Sequence, residues 1–99
     1  MPTVVRNNPQ RHRYEILVDD TLAGFAAYRA GAGVVTFTHT EIDPAYKGQR
    51  LGSRLARGAL DDVRAGGLRA VPVCPFITGY LERHPEYADL VDSEAAHQP

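Results

Sequence analysis

Alternation of apolar and polar side chains predicts three consecutive strands in the first half of the chain. The strands are expected over residues 13–18, 21–29 and 34–42. In the first of them Tyr14, Ile16 and Val18 are apolar at every second position, which is typical of a half-buried strand. Turn signals at Asp19–Asp20 and at the glycines of residues 31–33 separate the strands. Short turns of this kind predict an antiparallel meander.

The pattern changes to a helical period after the third strand. Asp43–Pro44 ends that strand, because proline removes a backbone donor from the ladder. Over residues 49–65 apolar side chains recur every three or four positions and form one stripe. The stripe consists of Leu51, Leu55, Ala56, Ala59, Leu60 and Val63. We expect Gly66–Gly67 to end this helix.

A short apolar run and a second helix complete the pattern. Residues 68–74 suit a buried strand parallel to the third one, because a strand–helix–strand crossover usually makes a parallel pair. Pro75 fits the first turn of a helix that runs to about His84, where Pro85 stops it and Tyr87 packs back on the sheet. The predicted fold class is therefore α/β, with a mixed sheet in the order βββαβα and helices packed on that sheet.

Length and composition bound the class of protein. With 99 residues, 43% of them hydrophobic and 23% charged, and a net charge of −1, we expect one globular domain over residues 1–99. Its ordered core is expected over residues 12–90, with frayed termini. No apolar run is long enough for a membrane span or a signal peptide, so a cytoplasmic protein is expected. A single cysteine and four scattered histidines predict no disulfide and no metal site.

Positive charge is concentrated at the start of the predicted first helix. Four cations and no acid lie between Lys47 and Arg57. A helix N-terminus already carries about half a positive charge, so most helices place Asp or Glu there. Glycines at positions 48 and 52 leave backbone amides uncovered, and with Lys47 and Arg50 they predict a phosphate-binding loop. A first turn that is only solvated is the alternative.

The same segment resembles the coenzyme-binding loop of a known family. "KGQRLG", residues 47–52, is similar to the Arg/Gln-x-x-Gly-x-Gly/Ala signature of GNAT-type N-acetyltransferases. Lys47 replaces the usual Arg or Gln, and Arg50 stands where a second glycine is common. "FTHTEIDPAYKGQRLGSRL" and "VPVCPFITGYLERHPEY" look like the small, minimal members of that family, from about Tyr14 to Tyr87.

The resemblance implies acetyl-CoA as co-substrate and a sheet that opens between the strands 34–42 and 68–74. Coenzyme A is expected to enter this gap, with its pantetheine beside the backbone near Ile42 and its pyrophosphate on the loop amides. The implied coenzyme-binding positions are Ile42, Lys47, Gly48, Gln49, Arg50, Leu51, Gly52 and Ser53.

Candidate bases lie on the third strand. Acetyl transfer requires a neutral amine and a proton for the leaving thiolate. Strand alternation puts Phe37, His39 and Glu41 on one face, and Thr38, Thr40 and Ile42 on the other. His39 and Glu41 are candidate bases, directly or through water. Purely structural roles, such as an ion pair between Glu41 and an arginine, are the alternative.

Two residues are candidates for the proton donor. Cys74 is a small buried hydrophobe, a general acid or base beside the thioester, or a nucleophile that carries the acetyl group. Its position before the positive N-terminus of the second helix favours the thiolate. The resemblance implies a tyrosine acid in the last helix, which makes Tyr80 a rival donor, and an aromatic anchor is its other reading.

The predicted function is transfer of acetyl from acetyl-CoA to a primary amine, on a protein lysine, a polyamine or a small amine. The alternative, from a different class, is an acyl-CoA-binding sensor or interaction module without turnover. A further alternative is a nucleic-acid-binding helix that uses Arg50, Arg54 and Arg57. The chain has no excess of basic residues and no recognised motif that would support it. We therefore expect no nucleic-acid partner and no membrane partner.

Overall fold

The computed structural model describes residues 2–46 and 48–91. Five strands and two α-helices lie in these residues, with a 3-10 turn at Pro44–Tyr46 and another at Pro85–Leu90. They are β1 (Thr3–Asn8), β2 (Arg13–Val18), β3 (Thr21–Gly31), β4 (Val34–Ile42), α1 (Leu51–Ala65), β5 (Arg69–Pro72) and α2 (Pro75–Arg83). The predicted mixed α/β fold is confirmed, and the structure adds one strand, β1, before the predicted ordered core. No helix of the described residues is long and apolar enough to cross a membrane.

The sheet is antiparallel from β1 to β4 and parallel between β4 and β5, in the spatial order β1-β2-β3-β4-β5. The turns at Asp19–Asp20 and Ala32–Gly33 both have positive φ at their two central residues. This geometry matches the twist of the strands that the turns connect. The predicted meander and crossover strand are both confirmed.

Strand β1 is held by side-chain contacts rather than by an apolar alternation of its own. The Tyr28 hydroxyl donates to Asn7 Oδ1 at 2.6 Å. Val5 packs against Gly58 of α1. A Cβ built on Gly58 would lie only 2.8 Å from the Val5 side chain. The signal of β1 in its own sequence is confined to the β-branched residues Thr3, Val4 and Val5, and tertiary contacts complete the strand.

A carboxylate, Glu15, is buried on the face of the sheet that carries no helix. It is 4% exposed and accepts hydrogen bonds from Arg13 Nε at 2.8 Å, Asn8 Nδ2 at 3.3 Å and Arg6 Nε at 3.4 Å. Burial raises the pKa of Glu15, but the hydrogen bonds from Arg13 and Asn8 outweigh it and hold this pKa below its ordinary value. The network ties β1 to β2.

A β-bulge at Thr38 changes which residues of β4 face the helices. Ala27 pairs with His39 and Tyr28 pairs with Phe37, so Thr38 is an extra residue on β4. Alternation of side chains is interrupted at such a position.

The bulge separates Phe37 from the two candidate bases. Phe37 is buried in the core, whereas His39 and Glu41 are exposed on the helix-free face. Thr40 and Ile42 instead face the helix side, because Thr40 pairs with the buried Ala26. The prediction that Phe37 shares a face with His39 and Glu41 is therefore wrong, because that prediction assumed a strand without a bulge.

The two helices lie side by side and begin at the same end of the sheet. All six residues of the predicted apolar stripe of α1 are buried. Phe76, near the start of α2, packs against Gly52, near the start of α1. At the other end the Tyr87 hydroxyl donates to Asp61 Oδ1 at 2.6 Å, so Tyr87 is buried as predicted but bonds to α1 rather than to the sheet.

Candidate active site

The sheet opens between β4 and β5, as the resemblance implied. Pairing runs from Val34–Arg69 to Phe37–Pro72, and the amides of Val73 and Cys74 both donate to the Phe37 carbonyl, at 3.0 and 2.9 Å. Strand β4 continues to Ile42 without a partner from β5. The edge of β4 over residues 38–42 can therefore pair with an extended ligand.

Cys74 lies at the point where the sheet opens. It is the N-cap residue of α2, is 4% exposed, and donates its thiol hydrogen to Thr40 Oγ1 with a sulfur–oxygen distance of 3.3 Å. Thr40 belongs to the part of β4 that has no β5 partner. The hydroxyl can accept from the thiol or donate to the thiolate, so it accommodates both charge states of Cys74.

The start of α1, at the end of β4, has backbone amides without a side-chain cap among the described residues. Arg50 is the N-cap residue with φ 58° and ψ 28°, a left-handed conformation, and Gly48 has φ 87°. Among the described residues no side chain caps the helix, and its first turn contains no acid. The amides of the first turn, residues 51–53, are thus available to an anion.

The side chains of the loop differ in what they can contribute. Gln49, Arg50 and Ser53 are exposed, whereas Leu51 is buried in the core and offers only its amide. A Cβ on Gly52 would lie 2.6 Å from Phe76 Cζ, so this glycine also spaces the two helices. Lys47, the remaining predicted loop residue, lies outside the described residues.

The candidate bases lie together on the other side of β4. His39 Nε2 is 3.5 Å from Glu41 Oε1, and their side chains are 61% and 60% exposed. Their predicted proximity on one face is confirmed. Cys74 lies on the helix side of the same strand, so β4 separates the candidate bases from the candidate thiol donor.

Tyr80 belongs to an aromatic cluster on α2. Its ring stacks on His84 with a centroid distance of 4.0 Å, and Tyr87 is 6.1 Å away. It lies about 9 Å along the helix axis from Cys74. Burial raises the pKa of the Tyr80 hydroxyl, which weakens it as an acid. The structure does not bring Tyr80 together with Thr40 and Cys74 in one hydrogen-bonded group.

A cavity of about 460 Å³ adjoins the carboxyl end of β4. Its lining includes Leu22 and Phe25 of β3, Glu41 and Ile42 of β4, and Asp43 and Pro44 of the following segment. Sequence reasoning did not assign Thr40, Leu22 or Asp43 to the site. Strand alternation could have indicated Thr40, because it places this residue on the opposite face of β4 from His39 and Glu41. Leu22 had no signal beyond its apolar character.

The part of the chain that the structure describes contains no set of side chains that could bind a metal ion. No group of three or more His, Cys, Asp or Glu side chains there could hold a metal ion. The site therefore consists of a strand edge, free amides, a thiol with a hydroxyl partner, and a histidine–carboxylate pair.

The opened mixed sheet with a helix N-terminus at the end of β4 is the fold of GCN5-like acetyltransferases. A GCN5-like protein from Staphylococcus aureus, with a solution structure, superposes with a TM-score of 0.68 over 89% of this chain and 86% of that chain, at 19% identity. The family described as GCN5-related N-acetyl-transferase matches residues 13–90, and the chain belongs to this family.

Curated relatives are distant. Protein NATD1 of Mus musculus is 30% identical over 87 residues, which cover 85% of this chain and 78% of that protein. Protein NATD1 of Homo sapiens is 36% identical over 55 residues, 56% of this chain and 49% of that protein. The match to the human protein thus spans about half of its length.

Proposed function

We propose that this protein transfers an acetyl group from acetyl-CoA to a primary amine at the opening between β4 and β5. The observation that carries the proposal is the edge of β4 over residues 38–42, which has no strand partner among the described residues. This edge leads to the N-terminus of α1, where no described side chain caps the helix, and it is bordered by the Cys74 thiol. Membership of the acetyltransferase family supports this class of reaction. The acceptor classes that fit the reaction are a small amine, a polyamine and a protein lysine.

The residues around the opening fit coenzyme A. The backbone of β4 near Ile42 can pair with the amide groups of the pantetheine arm. The amides of residues 51–53 and the exposed Arg50 side chain suit a pyrophosphate, with Gly48, Gln49 and Lys47 in the same loop. When bound, acetyl-CoA supplies the thioester carbonyl that the amine attacks.

Glu41 and His39 are the proposed bases. A lysine-like ammonium of pKa about 10.4 costs between 4 and 5 kcal/mol, roughly, to deprotonate at pH 7. Glu41, directly or through water and with His39 beside it, takes this proton from the amine. The amine nitrogen then forms its bond to the carbonyl carbon, the carbon–sulfur bond breaks, and the nitrogen loses its second proton to solvent.

Cys74 is the proposed proton donor to the departing thiolate. The Thr40 hydroxyl can then donate to the Cys74 thiolate until solvent returns the proton. Tyr80 remains a rival donor, disfavoured by its raised pKa and its position in the aromatic cluster.

An acetyl-Cys74 intermediate is less well supported. A cysteine that is still in its thiol form needs a base within hydrogen-bonding reach to become a nucleophile. In the described residues the partner of the thiol is the Thr40 hydroxyl, and the His39–Glu41 pair lies on the other side of β4. Direct attack by the amine requires no such base beside Cys74.

The test is consumption of acetyl-CoA in the presence of mixed primary amines, with products identified by mass spectrometry. We expect Cys74→Ala and Glu41→Gln each to lower turnover at least tenfold, with little change in acetyl-CoA affinity. Glu82→Gln, an exposed carboxylate change on α2, is the matched control and should leave turnover unchanged. Acetyl-CoA binding without turnover of any amine would contradict the proposal and favour the sensor alternative.

A further inference from the structure

We propose that the acceptor is a small monoamine with an apolar body, bound in the cavity beside the carboxyl end of β4. The reaction rests on the proposed function, whereas the class of acceptor rests on this cavity. At about 460 Å³ the cavity lies within the 300–1,000 Å³ range, roughly, of small-molecule sites.

The wall of the cavity is apolar. Leu22 is 41% exposed and is one of the large hydrophobic side chains that the described surface leaves open to solvent. Phe25 and Pro44 continue this wall. Covering such side chains with an apolar ligand removes them from water, which favours binding by about 25 cal/mol per Å².

Arg13 holds the Phe25 ring in position. The guanidinium of Arg13 lies over this ring at 4.8 Å from its centroid, and Arg13 Nε is bonded to the buried Glu15 at 2.8 Å. A positioned ring costs little conformational entropy on binding. The wall is therefore preorganised for an apolar group.

Negative charge is placed at the rim rather than along the wall. Glu41 is exposed and lines the cavity, and it is the proposed base of the reaction. Asp43 follows on the same rim, with Oδ1 accepting a hydrogen bond from the Ala45 amide at 2.9 Å. One ammonium group can thus reach a carboxylate while the rest of the molecule covers the wall.

Acceptors with several charges match this arrangement poorly. Spermidine carries three ammonium groups, one more than the two rim carboxylates, and the remaining ammonium would lie against Leu22 and Phe25, where its desolvation has no compensating carboxylate. A lysine residue of a protein has only four methylenes between its ammonium and a polar backbone, so it would bring peptide groups against the apolar wall. An alkyl or aromatic monoamine can cover the apolar wall and pair its one ammonium group with a carboxylate at the rim.

The cavity also lies within reach of the coenzyme. Glu41 belongs to β4, and a pantetheine arm paired on the free edge of that strand would run about 5 Å from its backbone. An amine at Glu41 would therefore lie beside the strand that is proposed to hold the coenzyme.

The test combines kinetics with binding. We would compare n-hexylamine, phenethylamine, spermidine and a lysine-containing peptide as acceptors, and would titrate n-hexylamine without coenzyme while observing backbone amide NMR signals. The variant is Leu22→Ala, and the control is Val4→Ala, an exposed apolar residue on β1 that is 51% exposed. We expect n-hexylamine and phenethylamine to be the preferred acceptors, and KM for n-hexylamine to rise about tenfold in Leu22→Ala, with kcat retained and Val4→Ala unchanged.

Each outcome decides the inference. Shifts confined to residues 22–25 and 41–43 on titration with n-hexylamine would support it even if no acceptor is turned over, in which case only the proposed function fails. Turnover that prefers spermidine or the peptide, or that ignores Leu22→Ala, would overturn the inference and leave acetyl transfer intact. Absence of n-hexylamine shifts at these residues would also overturn it.

Discussion

Arg50→Gly should stabilise the protein, although it removes a side chain from the start of a helix. Arg50 has φ 58° and ψ 28°, a left-handed conformation that costs a residue with a Cβ about 1–2 kcal/mol. Glycine adopts this conformation freely but makes the unfolded chain more flexible, at a cost of about 0.4–1 kcal/mol. The difference leaves a net gain of about 1 kcal/mol, which in a domain of this size raises Tm by about 4–8 °C.

The matched control is Arg54→Gly, the same chemical change one turn further along α1. Arg54 is an exposed residue inside the helix, where glycine costs about 0.5–1 kcal/mol. Arg54→Gly should therefore lower Tm, and Arg50→Ala, which keeps the Cβ, should give no gain. The measurement is thermal unfolding followed by circular dichroism.

A lower Tm for Arg50→Gly, similar to that of Arg54→Gly, would refute the reasoning. It would mean that the left-handed conformation of Arg50 carries no strain. A gain for Arg50→Ala as large as that for Arg50→Gly would also refute it, because removal of charge repulsion at the helix N-terminus would then be the cause.

Three further predictions concern single contacts. Gly52→Ala should destabilise the protein by about 1–3 kcal/mol, because the new Cβ meets Phe76, and the double variant with Phe76→Leu should recover most of this loss in chemical denaturation. Glu15→Gln should cost about 2 kcal/mol at neutral pH. Because the folded pKa of Glu15 lies below its ordinary value of 4.5, its contribution is present above that pH and is lost as the pH falls through the folded pKa, so the Tm difference from wild type should shrink below pH 4.5. An unchanged difference in acid would contradict this. Thr40→Val should lower kcat without changing acetyl-CoA affinity, because it removes the hydrogen-bond partner of Cys74, and unaltered kcat would remove Thr40 from the mechanism.

Most elements could be predicted from the sequence because each has a strong local signal. The alternation of Tyr14, Ile16 and Val18, the apolar stripe of α1 and the proline at position 75 all specify structure within a few residues. The observed bounds differ from the predicted ones by a few residues at most; α1, for example, begins at Leu51 rather than at residue 49.

Neither strand β1 nor the bulge at Thr38 could be predicted, and the reason is the same for both. Asn7 and Asn8 have low strand propensity, and β1 forms because β2 and α1 offer it partners. The bulge leaves no mark on the alternation of β4, since threonine and histidine are compatible with either face. Tertiary contacts decide both features.

The candidate site divides in the same way. The position of Cys74 followed from the neighbouring prolines, and that of the loop followed from its glycines and charges. The cavity beside β4 was not predictable, because it depends on how Leu22 and Pro44 approach each other across the end of the sheet.

The most direct test of the account is titration of the isotopically labelled protein with acetyl-CoA, followed by backbone amide NMR. We predict saturable shifts at residues 38–42 of β4, at residues 48–53 of the loop and at Cys74, the three groups that border the opening. Absence of shifts at millimolar acetyl-CoA, or shifts confined to other parts of the chain, would contradict the proposal that the opening between β4 and β5 binds the coenzyme.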